Sequence, residues 1–210
     1  MADISVQQAL SKYKSYMQEV KYRTQVISRV LDKYKAAESL TGYRESDVEL
    51  CLLQLRKCLE LVMYASLVAH FHSGVALQKH LFESEWNATK ILAFLKRVNP
   101  GGFPKALRRI SKEGQEIDDM EEVPGALTLT EFGQLYDRVC GKYLHASRSA
   151  NILSDHASLF GEIEVWFKKL TLLLNSHWVD VTGDIVFAVL MQNNVDGDVQ
   201  VVLFEKQDRK

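Results

Sequence analysis

From Val6 to Tyr34 the chain repeats one period. Val6, Leu10, Tyr13, Met17, Val20, Thr24, Ile27, Leu31 and Tyr34 follow one another in steps of four and three, with Thr24 the one polar break. Such steps are the a and d positions of a heptad. They draw an apolar stripe along one side of an α-helix, whereas a half-buried strand needs a period of two. Residues 4–37 are therefore expected to form one long helix ended by Thr41-Gly42. Its stripe must be covered by the rest of the chain or by a second copy.

The chain continues in the same manner. Ser46-Asp47-Val48-Glu49 has the spacing of a capping box. It opens a predicted helix through Leu52, Leu55, Leu59, Val62 and Met63 to about His72, where Ser73-Gly74 breaks it. A third helix over 84–98 stops at Asn99-Pro100-Gly101-Gly102, a strong turn signal. Residues 105–112 read as a short basic helix and 113–122 as a polar, acidic loop. Thr128-Leu129-Thr130-Glu131 is a second capping box, opening a helix to about Ala146. A last helix is predicted over 155–174.

Then the period changes. Residues 184–192 and 199–205 are β-branched and aromatic runs flanking a turn that contains Asp196-Gly197. The predicted fold is mainly α, a bundle of about five helices with a long N-terminal helix and a C-terminal antiparallel β-hairpin. The bundle spans about 4–175 and the hairpin about 178–206, in a single domain over 1–210. An isolated ribbon is marginal in water. The hairpin is thus expected against the helices or at a subunit interface.

Composition narrows the function classes. A formal net charge of -1 gives no global basic field for nucleic acid. The N-terminal residues lack a basic stretch followed by an apolar core, and the most apolar run, 61–69, is far short of the roughly 20 residues of a membrane span. A cytoplasmic chain with no membrane contact is expected. Cys51, Cys58 and Cys140 lack zinc spacing and read as reduced core thiols. His70 and His72 point ~200° apart on a helix and cannot share an ion there. No phosphate-binding glycine loop is present. No metal and no cofactor is expected.

One helix carries a chemical hypothesis. At ~100° per residue, His145 falls about 20° from Arg138, two turns later on the same face. Glu131, Gln134 and Lys142 fall on that face too. Phe132, Leu135, Tyr136, Val139 and Tyr143 fall on the other. A histidine can take or give a proton near neutral pH. An arginine beside it can hold a phosphate by two hydrogen bonds. Together they can cleave RNA without a metal. The plainer reading is the wet face of an amphipathic helix.

Six residues separate Arg138 from His145 in Arg138-Val139-Cys140-Gly141-Lys142-Tyr143-Leu144-His145. An arginine followed closely by a histidine, late in a helical bundle, resembles the motif of the HEPN (higher-eukaryote and prokaryote nucleotide-binding) superfamily. Leu55-Arg56-Lys57-Cys58-Leu59-Glu60-Leu61 is similar to an Arg-x-x-Leu-Glu helix of HEPN-like bacterial families. The resemblance covers roughly residues 46–175. It implies a helical homodimer in which two Arg/His motifs face one cleft. Many such proteins are metal-independent ribonucleases of toxin–antitoxin or phage-defence systems; others only bind. The chain departs from the family pattern at Val139, where a polar residue is usual, and in its C-terminal hairpin.

The resulting site has Arg138 and His145 as catalytic residues, with Glu60, Lys142 and Glu131 in support. Glu60 either pairs with Arg56 on its own helix or orients Arg138 or His145 from a neighbouring one. Lys105, Arg108, Arg109 and Lys112 form a basic patch that either holds an RNA backbone or is simply solvated and balanced by the acidic residues after it. Two functions stay open: a metal-independent endoribonuclease with RNA and an antitoxin or other protein as partners, and a non-catalytic module that binds a protein or nucleotide.

Overall fold

The structure, a computed structural model, describes residues 5–71, 88–110, 119–143, 155–181, 184–192 and 195–205. It is mainly helical, with an antiparallel sheet that includes the C-terminal strands. Helix α1 spans Val6–Lys35 and opens with a capping box between Ser5 and Gln8. Its stripe is consumed inside the chain: Tyr13, Met17, Val20, Ile27 and Leu31 are buried. The main covering element is α2, Arg44–Phe71, which packs along α1 and is buried on most of its circumference.

The α1–α2 connection differs from the expected one. Ser46 lies inside α2 rather than capping it. The Asp47 carboxylate turns back to accept hydrogen bonds from Ser39 Oγ (2.6 Å), Leu40 N (3.0 Å) and Thr41 N (3.0 Å). Burial alone would raise its pKa. The hydrogen bonds from Ser39, Thr41 and the backbone outweigh that and hold it below the usual carboxylate value.

Helix α1 ends in a Schellman motif. Glu38 N–H donates to Lys33 O and Ala37 N–H to Tyr34 O, each at 2.9 Å. Ala37 has φ +62°, where glycine is usual. An alanine Cβ is crowded in that conformation. Ala37→Gly is therefore expected to raise stability by about 0.5–1 kcal/mol, the relief of strain exceeding the added freedom of the unfolded chain. A rise in the urea midpoint checks it; an unchanged or lower midpoint counts against it.

Helix α3, Ala88–Val98, leads through a 3-10 turn, Pro100–Gly102, into the sheet. Strands β1 (Lys105–Ile110), β2 (Asp119–Glu122), β3 (Ser176–Asp180), β4 (Ile185–Leu190) and β5 (Gln200–Glu205) form one sheet in the order β2-β1-β3-β4-β5, with every pairing antiparallel. The predicted hairpin is β4–β5, but it is one edge of a five-stranded sheet.

Residues 105–110 are a strand, not a basic helix, and part of the expected acidic loop is β2. The segment is paired on both sides, with β2 and β3, and Arg108 stands opposite Glu121 and forms an ion pair with it. Ala106 meanwhile turns into the core and pairs with His177. Strand β3 was not foreseen. Helix α6, His156–Asn175, runs into it without a loop. The inward residues His177, Val179, Phe187 and Val189 are buried on the side of α1 and α6.

Between β2 and α6 the chain forms α4, Leu129–Gly133, a π-helical segment, Gln134–Cys140, and α5, Gly141–Tyr143. No helix among the described residues is long and apolar enough to cross a membrane.

Candidate functional site

The predicted cap at Thr128 forms. Thr128 Oγ1 accepts from Glu131 N at 3.3 Å, and Glu131 Oε2 accepts from Thr128 N at 3.0 Å. The same carboxylate takes the Lys169 ammonium of α6 at 2.6 Å. That bond, reinforced by the cap, lowers the Glu131 pKa below the ordinary value. Glu131 thus anchors the start of its helix to α6.

The continuation departs from the assumed geometry. Gln134–Cys140 is π-helical. A π turn closes i→i+5 and holds one residue more than an α turn, so the wheel drawn at a constant ~100° per residue fails from Gln134 onward. Glu131 and Gln134 do not keep their predicted angles to Arg138. Leu135, Tyr136 and Cys140 are buried, and Asp137 is exposed. The backbone of Arg138 lies within the π segment and that of Lys142 within α5. His145 lies outside the described residues, as do Lys112 and His72.

Facing the π segment is α2. Arg56 Nη2 donates to Tyr136 Oη at 2.8 Å, and Tyr136 Oη donates to Glu60 Oε1 at 3.1 Å. Arg56 Nε closes the triangle, 3.3 Å from Glu60 Oε1. The Arg56 guanidinium also lies 4.1 Å from the centroid of the Tyr136 ring. The pair Arg56–Glu60 therefore forms as spacing predicted. Its target on the neighbouring helix is Tyr136, two residues before Arg138. Sequence reading placed Tyr136 among apolar residues; the signal that marks it, a phenol facing an Arg/Glu pair, exists only once the two helices are packed.

The basic patch is divided. Lys105 is exposed at the start of β1 and lines a cavity of about 510 Å³ shared with Glu122 and Thr128. Arg108 is engaged by Glu121. The backbone of Arg109 continues β1 opposite Met120.

Among the described residues, the three cysteines, His70 and His177 sit in the core. Burial pushes the thiols of Cys51, Cys58 and Cys140 up to about 12, so none supplies a thiolate near neutral pH. His70 and His177 are fully buried, and desolvation lowers both. Among the described residues no three His, Cys, Asp or Glu side chains gather into a metal-binding group. No protein-family model, curated protein or solved structure matches the chain.

Proposed function

We propose that the chain is a HEPN-like, metal-independent endoribonuclease, with Arg138 holding the scissile phosphate and His145 transferring the proton. The observation that supports this reading is the π-helical segment that carries Arg138. Such segments are rare, and they occur often at functional sites. The order of the chemistry follows from the two groups. A neutral imidazole takes the 2′-hydroxyl proton as that oxygen attacks phosphorus. The guanidinium stabilises the charge gathering on the phosphoryl oxygens. The 5′ oxygen leaves and takes a proton from the imidazolium, giving a 2′,3′-cyclic phosphate and a 5′-hydroxyl and restoring the neutral imidazole. Within this reading the protein acts as a cytoplasmic homodimer, and its biological setting is a toxin–antitoxin or phage-defence pair.

The test is RNA cleavage in EDTA. Wild type is expected to cleave, and His145→Ala to lose roughly 10²- to 10⁴-fold in rate, the range of general acid–base catalysis. Arg138→Ala should lose about 10²-fold or more. No cleavage by wild type, or an undiminished rate in His145→Ala, removes the reading.

A second reading, a non-catalytic module that binds a protein or nucleotide, is favoured by the outer face of the sheet. There Trp178 stacks on Phe204 with ring centroids 5.9 Å apart, and Leu190, Val202 and Phe204 are exposed.

A further inference from the structure

The π segment needs a cause. An α-helix interrupted by a π turn gives up regular i→i+4 hydrogen bonding, so tertiary contacts must hold it. The contact in place is the Arg56–Tyr136–Glu60 triangle. Tyr136 sits in the middle of the segment and is 1% exposed. Its hydroxyl is held on both sides, as acceptor from Arg56 and as donor to Glu60. Its ring is covered by the Arg56 guanidinium. At the far end of the segment, a Cβ on Gly141 would stand 3.6 Å from the Tyr136 carbonyl oxygen and 4.0 Å from Arg56 Nη1. The guanidinium thus lies beside both the pinned residue and the residue where α-helix resumes.

We propose that Tyr136 Oη is the pin that fixes the π register of this helix, and that Tyr136 is thereby a positioning residue for Arg138, whose backbone lies in the same segment. The geometric consequence is large. If the segment relaxed to α-helix, Gly141–Tyr143 would rotate by about 100° relative to α4, one residue's worth of turn. Arg138 would turn by part of that angle. The second half of the proposal rests on the ribonuclease reading; the first half, the pin, does not.

Tyr136→Phe deletes the pin and leaves the ring under Arg56. Glu60→Ala removes its acceptor at a half-buried position. Glu60→Gln keeps an acceptor oxygen. Both deletions are expected to lower kcat on RNA by roughly 10²-fold, the cost of misplacing a reacting group by about an ångström, with KM nearly unchanged. Glu60→Gln should recover most of the rate. Hydrogen exchange of the amides at 139–143 supplies a readout that needs no activity: it should quicken in Tyr136→Phe and Glu60→Ala and stay near wild type in Glu60→Gln. An active wild type with kcat unchanged in both deletions overturns the positioning role alone. An inactive wild type removes the ribonuclease reading together with the positioning role, and exchange then judges the pin. Unchanged exchange at 139–143 overturns the pin in either case.

Discussion

Gly102→Ala is expected to destabilise the protein by about 2–5 kcal/mol, the sum of an overpacked core and a buried polar group left without its partner. A Cβ built on Gly102 would lie 2.3 Å from His70 Cε1 and 2.4 Å from Nε2, well inside contact distance. The imidazole has nowhere to withdraw. Its Nδ1–H donates to Ser66 O at 2.7 Å, and Nε2 accepts from Asn99 Nδ2 at 2.9 Å. Asn99 is fixed in turn. It donates to Asp180 O at 2.6 Å, accepts from Gly101 N at 2.9 Å, and its own carbonyl takes Gly102 N–H at 3.0 Å. One residue of space therefore joins α2, the 3-10 turn after α3 and the end of β3. Urea unfolding of the variant measures the loss. A change below about 1 kcal/mol, an ordinary surface value, would show that the ring can be displaced freely.

This junction also shows where sequence reading stops. Asn99-Pro100-Gly101-Gly102 is legible as a turn, because proline and glycine punctuate the chain. That the second glycine must be glycine is not legible, since the reason is a histidine 32 positions earlier. The same division runs through the fold. Helix α1 is readable because nine stripe positions repeat one period, whichever elements cover them. Strands β4 and β5 are readable because β-branched runs flank a turn. Strand β1 misleads, because Lys-Ala-Leu-Arg-Arg-Ile is as good a solvated helix as a strand until the acids of β2 lie opposite it. Strand β3 hides because its first inward residue is His177, which counts as polar until Tyr13 is known to face it from 164 positions away.

The candidate site divides similarly. Arg138 and His145 are visible as a spacing, and the cap at Thr128 as a local motif. The π segment is not visible, since no residue pattern distinguishes it from amphipathic α-helix. The wheel that grouped Glu131 with Arg138 assumed a constant twist, and that assumption fails at the residues under test. In sequence Tyr136 falls on the apolar side of the helix, and its ring is buried; its hydroxyl finds partners 80 and 76 positions back.

Acidification is expected to weaken the fold well before carboxylates titrate, and His177 is the main reason. The ring is fully buried. Leu174 O, 2.8 Å from Nδ1, can only accept, so Nδ1 carries the hydrogen. Nε2 then accepts from the Tyr13 hydroxyl at 2.9 Å, and burial raises the Tyr13 pKa far above its ordinary value, keeping that hydroxyl a donor. Protonating Nε2 would place a charge in a fully buried site and make the Tyr13 hydroxyl turn its hydrogen away. Desolvation accordingly lowers the folded-state pKa to about 4. In the unfolded chain the same ring titrates near 6.5. Between these values the unfolded state holds a proton that the folded state lacks, so stability falls as pH falls through the window from about 6.5 to 4. The loss from His177 alone approaches about 3 kcal/mol at the bottom of the window, taking about 1.4 kcal/mol per unit. His70, also lowered by burial, adds a loss of the same sign. Asp47 and Glu131 are lowered carboxyls, and their contributions disappear only at more acid pH. Urea midpoints measured from pH 7 to pH 4 should therefore decline steadily. His177→Gln, though less stable at pH 7, should decline less over the same span. Equal slopes for wild type and variant would mean that His177 carries its proton into the folded state.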